Sequence, residues 1–150
     1  MGDLSDLYQQ VILDHNRNPR NFGPLANATS QAKGHNPLCG DHVTVYTRVS
    51  GSGLEEVAFE GSGCAISKAS ASLMTAMVKG KPTEEIEQIA NRFHAMVTSD
   101  PNAPAETRDL GKLAAFAGVR AFPARVKCAT LPWHALRAAL HGAAKPVSTE

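Results

Sequence analysis

Apolar and polar residues alternate from His42 to Ser50, with Val43, Val45 and Val49 on one side, which is the period-2 pattern of a half-buried strand. Leu54 to Gly61 reads the same way. Gly51-Ser52-Gly53 lies between them and tolerates the positive φ of a tight connection, so the two segments predict an antiparallel hairpin. A three-residue loop pairs Ser50 with Leu54, sets Val45 opposite Phe59 and Thr47 opposite Val57, and keeps Val43, Val45, Val49, Val57 and Phe59 on one face. A slip of one residue would split that apolar set. At the open end the same register puts Asp41 opposite Gly63. Cys39, Asp41 and Cys64 then leave the hairpin side by side, since paired positions lie about 4.5 to 5.5 Å apart.

The remaining periodicity is mostly helical. Leu4, Leu7, Tyr8, Val11 and Ile12 predict a helix over Asp3 to His15 with Asp3 as N-cap, ending near Asn16-Arg17-Asn18-Pro19. A further strand is expected around Thr29 to Lys33. Ile66, Ala69, Leu73, Ala76 and Met77 share a helical face that stops at Gly80-Lys81-Pro82. Thr83 is expected to cap the next helix, with Glu84 and Glu85 in its positive first turn and Ile86, Ile89, Ala90 and Phe93 facing inward. Thr98 to Ala105 reads as a loop and Leu110 to Val119 as helix. Ala129, Trp133, Leu136 and Leu140 share a last helical face, but Pro132 lacks an amide hydrogen and its ring would meet the carbonyl of Cys128. A helix break at Cys128, or a fresh start with Thr130 as N-cap, is therefore expected. The tail from Gly142 to Glu150 is expected to fray.

With 150 residues and an apolar fraction of 43%, the chain fits one domain, residues 1–150. A formal charge of +1 without a basic stripe, and 5% aromatics, argue against a nucleic-acid surface. No apolar run reaches the roughly 18 residues of a membrane span, and no charged leader with an apolar stretch opens the chain. Three cysteines, an odd number, fit a reducing compartment better than a disulfide framework, so a cytoplasmic protein is expected.

The cysteines carry the chemistry. Cys64 follows Gly61-Ser62-Gly63 and precedes a helix, where unpaired amides and the helix dipole favour thiolate. Arg125 and Lys127 next to Cys128 push the same way. Cys39 stands on a loop between Pro37 and Gly40, open to solvent. Three sulfurs and Asp41 make four ligands, the number tetrahedral zinc takes. A purely structural zinc site, three ordinary buried cysteines, and a cysteine hydrolase using Cys39 with His35 or His42 are the competing readings. His42 falls on the strand face away from Val43. His35, read as a loop residue before Pro37, is free to bond a thiolate or give a proton. His15, His94, His134 and His141 read as surface residues of helices.

The chain resembles the U-type iron–sulfur cluster assembly proteins along nearly its whole length, and most closely their SufU branch. The resemblance rests on Asp14-His15-Asn16-Arg17-Asn18-Pro19-Arg20-Asn21, Asn36-Pro37-Leu38-Cys39-Gly40-Asp41, Gly61-Ser62-Gly63-Cys64-Ala65-Ile66-Ser67 and Arg125-Val126-Lys127-Cys128-Ala129-Thr130-Leu131. It implies an α+β fold of the SufE/IscU kind, a small antiparallel sheet flanked by helices, with Cys39, Asp41, Cys64 and Cys128 gathered at one end. It also implies a partner, a pyridoxal-phosphate-dependent cysteine desulfurase of the SufS kind. The scaffold branch has a His before its last cysteine and a Leu-Pro-Pro-Val-Lys chaperone segment. Here Lys127 and Phe122-Pro123-Ala124-Arg125-Val126-Lys127 stand instead. The long stretch between Cys64 and Cys128, with the extra residues around Phe93 to Phe122, also matches the SufU branch. The resemblance thus implies zinc-dependent sulfur transfer: Cys39 accepts sulfane sulfur and hands it to downstream assembly proteins, with a desulfurase ligand displacing Cys39 from zinc. Arg125, Lys127 and His35 would surround the ligands. The alternative is a scaffold for a nascent iron–sulfur cluster on the same residues.

Overall fold

A computed structural model describes residues 3–142 and 147–148. Helix α1 (Asp3–Arg17) leads to strands β1 (Ser30–Asn36), β2 (Asp41–Ser50) and β3 (Gly53–Ser62). Helices α2 (Ala65–Val78) and α3 (Thr83–Val97), a 3-10 helix (Gly111–Ala121), α4 (Pro123–Leu140) and the short strand β4 (Val147–Ser148) follow. The sheet order is β3-β2-β1-β4, antiparallel except for β4, which runs parallel to β1. This is the α+β architecture, a small antiparallel sheet flanked by helices, that the resemblance implies. Among the described residues no helix is long and apolar enough to cross a membrane.

The inward face of the hairpin carries Val43, Val45, Thr47, Val57 and Phe59, all buried, and α2 and α4 lie across it. Val45 pairs with Phe59 and Thr47 with Val57, as the alternation requires. The turn differs. Ser50 pairs with Gly53 and Val49 with Leu54, and the register shifts between Arg48 and Val49, leaving Glu55 as the extra residue of a bulge. Without the bulge Leu54 would face solvent; with it Leu54 is fully buried.

Three helical expectations also need correction. Pro82, not Thr83, holds the cap position of α3 and makes no side-chain cap bond. The Thr83 amide instead donates to the Ser52 carbonyl of the hairpin turn at 2.8 Å, so a cap there is not needed. The segment after Leu110 is a 3-10 helix, whose three-residue turn stacks Leu113, Phe116 and Val119 on one buried face. Finally, α4 runs unbroken through Pro132, Cys128 lies inside it, and Thr130 bonds back to the Lys127 carbonyl at 3.4 Å rather than capping. An interior proline costs about 3 kcal/mol. Burying Ala129, Leu131, Trp133 and Leu136 returns about 1.5 to 3 kcal/mol for each large side chain, which outweighs it.

Gly34 lets α4 approach β1. A Cβ there would stand 2.9 Å from Leu131 Cδ1, too close for a real contact. Any larger residue would have to displace the Leu131 side chain and crowd Val43 Cγ1, 3.2 Å away. At the far end of the chain, Val147 and Ser148 pair with Gly34 and His35, so that part of the tail is ordered as strand. The frayed-tail expectation for 143–146 and 149–150, and the capping role of the Asp3 side chain, lie outside the described residues. His15, expected at the surface, is buried against α2 with Nδ1 2.7 Å from Ser72 Oγ, and burial lowers its pKa.

Candidate metal centre

The sheet register sets up the site. Asn36 at the end of β1 pairs with Asp41 at the start of β2, so the loop Pro37–Gly40 arches over the end of the sheet and carries Cys39. Asn36 shapes that loop. Its Oδ1 accepts from the Leu38 amide at 3.3 Å, its carbonyl accepts from the Cys39 amide at 3.3 Å, and its Nδ2 donates to Cys128 Sγ at 3.7 Å. Asn36 is fully buried. An Asn-Pro pair ahead of a cysteine is a turn signal, but its grip on Cys128, distant in sequence, is invisible in the chain alone.

Across the hairpin, β3 ends and Gly63, with φ +143°, delivers Cys64 as the N-cap of α2. The Cys64 amide donates to Asp41 Oδ1 at 2.7 Å, and its sulfur lies 3.7 Å from Asp41 Oδ2. That sulfur also accepts from the Ser67 amide at 3.5 Å, in the place a serine or aspartate oxygen usually takes. From α4, the buried Cys128 brings its Sγ to 3.3 Å from Cys39 Sγ.

One ligand atom each from Cys39, Asp41 and Cys128 lies within 4.8 Å of the other two. Cys64 borders this trio through Asp41, with its sulfur turned to the helix amide. Three thiols and one carboxylate suit zinc, and thiolate-rich sites equally suit iron–sulfur clusters.

The electrostatics differ from the sequence expectation at Cys128. Burial pushes its thiol well above the usual range, and Asp41, Cys39 and Cys64 add to that. The cations of its own helix do not outweigh this. Arg125 is exposed, and its guanidinium is made more basic by the Cys64 and Cys128 sulfurs, so it does border the site. Lys127 is half-buried and makes no hydrogen bond to a sulfur among the described residues. His35 does not belong to the site. It is a strand residue of β1, paired with His42, and the two rings stack with centroids 4.3 Å apart. Strand alternation sends Asn36 toward the sulfurs and therefore its neighbour His35 to the opposite face of the sheet.

The model of the NifU-like N-terminal domain matches residues 7–129. The chain belongs to the NifU-like N-terminal domain family. This NifU-like chain is 44% identical over 135 residues, 90% of each chain, to the zinc-dependent sulfurtransferase SufU of Bacillus subtilis. It is 39% identical to the iron–sulfur cluster assembly scaffold protein IscU of Streptococcus pyogenes, covering 93% of this chain and 86% of that one. The crystal structure of FiSufU from Fervidobacterium islandicum AW-1 superposes with a TM-score of 0.81 at 33% identity, over 92% of this chain and 99% of that one. The family is one of iron–sulfur cluster assembly scaffolds.

Proposed function

We propose that this NifU-like protein is a zinc-dependent sulfurtransferase, in which Cys39 accepts sulfane sulfur from the persulfide of a cysteine desulfurase and passes it to downstream iron–sulfur assembly proteins. One observation carries the reading: Cys39 is half-exposed on an arched loop, yet its sulfur sits within ligand distance of two fully buried groups, Asp41 and Cys128. A site meant only to brace the fold has no need of a reachable sulfur. The name of the SufU relative supports the same activity.

Cys39, Asp41, Cys64 and Cys128 would hold the zinc, which supplies the charge that keeps Cys39 a thiolate at neutral pH. Cys39 Sγ attacks the outer sulfur of the donor persulfide. A new S–S bond forms on Cys39, the donor's S–S bond breaks, and the desulfurase cysteine leaves as thiolate. Arg125 places positive charge beside the anionic sulfurs. Three free thiols suit a reducing compartment, and we place the protein in the cytoplasm with a SufS-like desulfurase as partner.

Metal analysis of the purified chain, followed by anaerobic reconstitution with iron and sulfide, tests the assignment. Stoichiometric zinc that persists through reconstitution is expected. A stable, transferable cluster in its place would establish the scaffold role that the IscU relative's name carries.

Asp41 provides a finer test, because it binds in two ways. Asp41→Ala removes an oxygen ligand and strands the Cys64 amide, and a buried donor left unpaired costs about 1 to 3 kcal/mol. Asp41→Asn keeps an acceptor for that amide and loses only the charge. Zinc content after dialysis should fall in both variants, whereas the thermal midpoint in the presence of chelator should fall mainly in Asp41→Ala. Full zinc retention by both variants would remove Asp41 from the ligand set.

A further inference from the structure

We propose a second activity for the Cys39–Cys128 pair: when no metal holds Cys128, its thiol discharges a persulfide on Cys39, releasing sulfide and leaving a Cys39–Cys128 disulfide. The sulfur-transfer reading supplies the persulfide. The chemistry that follows stands on the geometry of the pair.

The two sulfurs lie 3.3 Å apart, and Asn36 sets both, through its carbonyl to the Cys39 amide and its Nδ2 to Cys128 Sγ. Cys128 is fully buried, whereas Cys39 is half-exposed, so Cys128 approaches Cys39 from the protein side. An added outer sulfur on Cys39 has room on the solvent side. Displacement at sulfur requires the outer sulfur to lie on the side of Cys39 Sγ away from the buried Cys128, which is the solvent side. Cys64 is the weaker competitor, because its sulfur is turned to the Ser67 amide. Closure shortens the sulfur separation to about 2.05 Å. The loop can supply that movement at Gly40, where the backbone is at φ +70° and nothing lies within 4 Å of the place a Cβ would take.

The step balances without an outside reagent. Cys128 Sγ attacks Cys39 Sγ, the bond between Cys39 Sγ and the outer sulfur breaks, and its electron pair leaves with the outer sulfur. The proton carried by the Cys128 thiol passes to that sulfur, which departs as hydrosulfide. The sulfane sulfur is reduced to sulfide, and two cysteines are oxidised to one cystine. A low-molecular-weight dithiol then resets the pair by exchange. A metal bound through Cys128 withdraws the nucleophile, so the metal state of the site decides whether a persulfide is handed on or spent as sulfide.

The test uses the full chain, dialysed against a chelator so that no metal holds its cysteines, and loads Cys39 with inorganic polysulfide instead of a desulfurase. After desalting, released sulfide is measured and the cysteine peptides are mapped by mass spectrometry, for the parent chain and Cys128→Ser. The parent should release sulfide with an equal amount of Cys39–Cys128 disulfide, and Cys128→Ser should slow release by more than about tenfold. Zinc added after loading should suppress release in the parent. Equal decay in Cys128→Ser, sulfide without disulfide, or a disulfide to Cys64 would overturn the proposal. Should Cys128→Ser fail to fold, the peptide map and the zinc arm on the parent chain still decide it. A desulfurase that cannot load Cys39 would defeat the transfer reading alone, because polysulfide loading bypasses it.

Discussion

Replacing Cys39 by Ala is expected to return desulfurase turnover to the rate of the desulfurase without its partner. Of the three cysteines only Cys39 joins solvent access to freedom from the helices. Cys128 is sealed inside α4, and the Cys64 sulfur is committed to the first turn of α2. In the proposed transfer reaction, removing Cys39 removes the group that attacks the donor persulfide, and neither neighbour reaches out to replace it. The fold should survive, because Cys39 is a half-exposed loop residue outside the buried core. Two readouts check this: alanine production by the desulfurase with each protein present, and the one-sulfur mass increment on the trapped acceptor. With Cys39→Ala, alanine production should fall to the rate of the desulfurase alone, and the mass increment seen with the parent chain should be absent. Full stimulation by the variant would refute Cys39 as the acceptor.

How far the site can be read from sequence follows from where each ligand is fixed. Asp41 and Cys64 are joined by local pattern. Alternating valines and a glycine-rich turn set the hairpin register, and that register extends past its last pair to the 2.7 Å contact between the Cys64 amide and Asp41. Even the bulge at Glu55 leaves this end untouched, because the shorter turn cancels it. Cys128 is different, since its place depends on how α4 settles on β1, and Pro132 signals a break that the packing of Leu131 and Trp133 overrides. His35 reads as a loop residue for a related reason. Ser30 to Asn36 contains one buried apolar side chain, Ala32, so only pairing with β2 reveals the strand. Asn36, Gly34 and Ser72 act through partners far along the chain, and a single sequence carries no mark of them.

Gly63→Ala should be the most damaging small substitution at the site. The residue sits at φ +143°, where an L side chain is strained, and an added Cβ would collide with Asp41 Oδ1 and stand 2.8 Å from Asp41 Cα. Neither atom has somewhere to go, because Asp41 is fully buried and tied to the Cys64 amide. Backbone strain of about 1 to 2 kcal/mol adds to the loss of a charge-assisted hydrogen bond worth about 1.5 to 3 kcal/mol. At about 2 to 4 °C per kcal/mol for a chain of this size, the thermal midpoint should fall by roughly 10 °C. Zinc retention should fall with it, since the shift that relieves the clash pulls Asp41 away from Cys39 and Cys128. Gly40→Ala is the control. It also has positive φ, +70°, but nothing lies within 4 Å of the point its added methyl would occupy, so the backbone term of about 1 to 2 kcal/mol stands alone. Equal midpoints and equal zinc content in the two variants would mean that Gly63 is needed for its φ only, and that the close approach to Asp41 does not hold the site together.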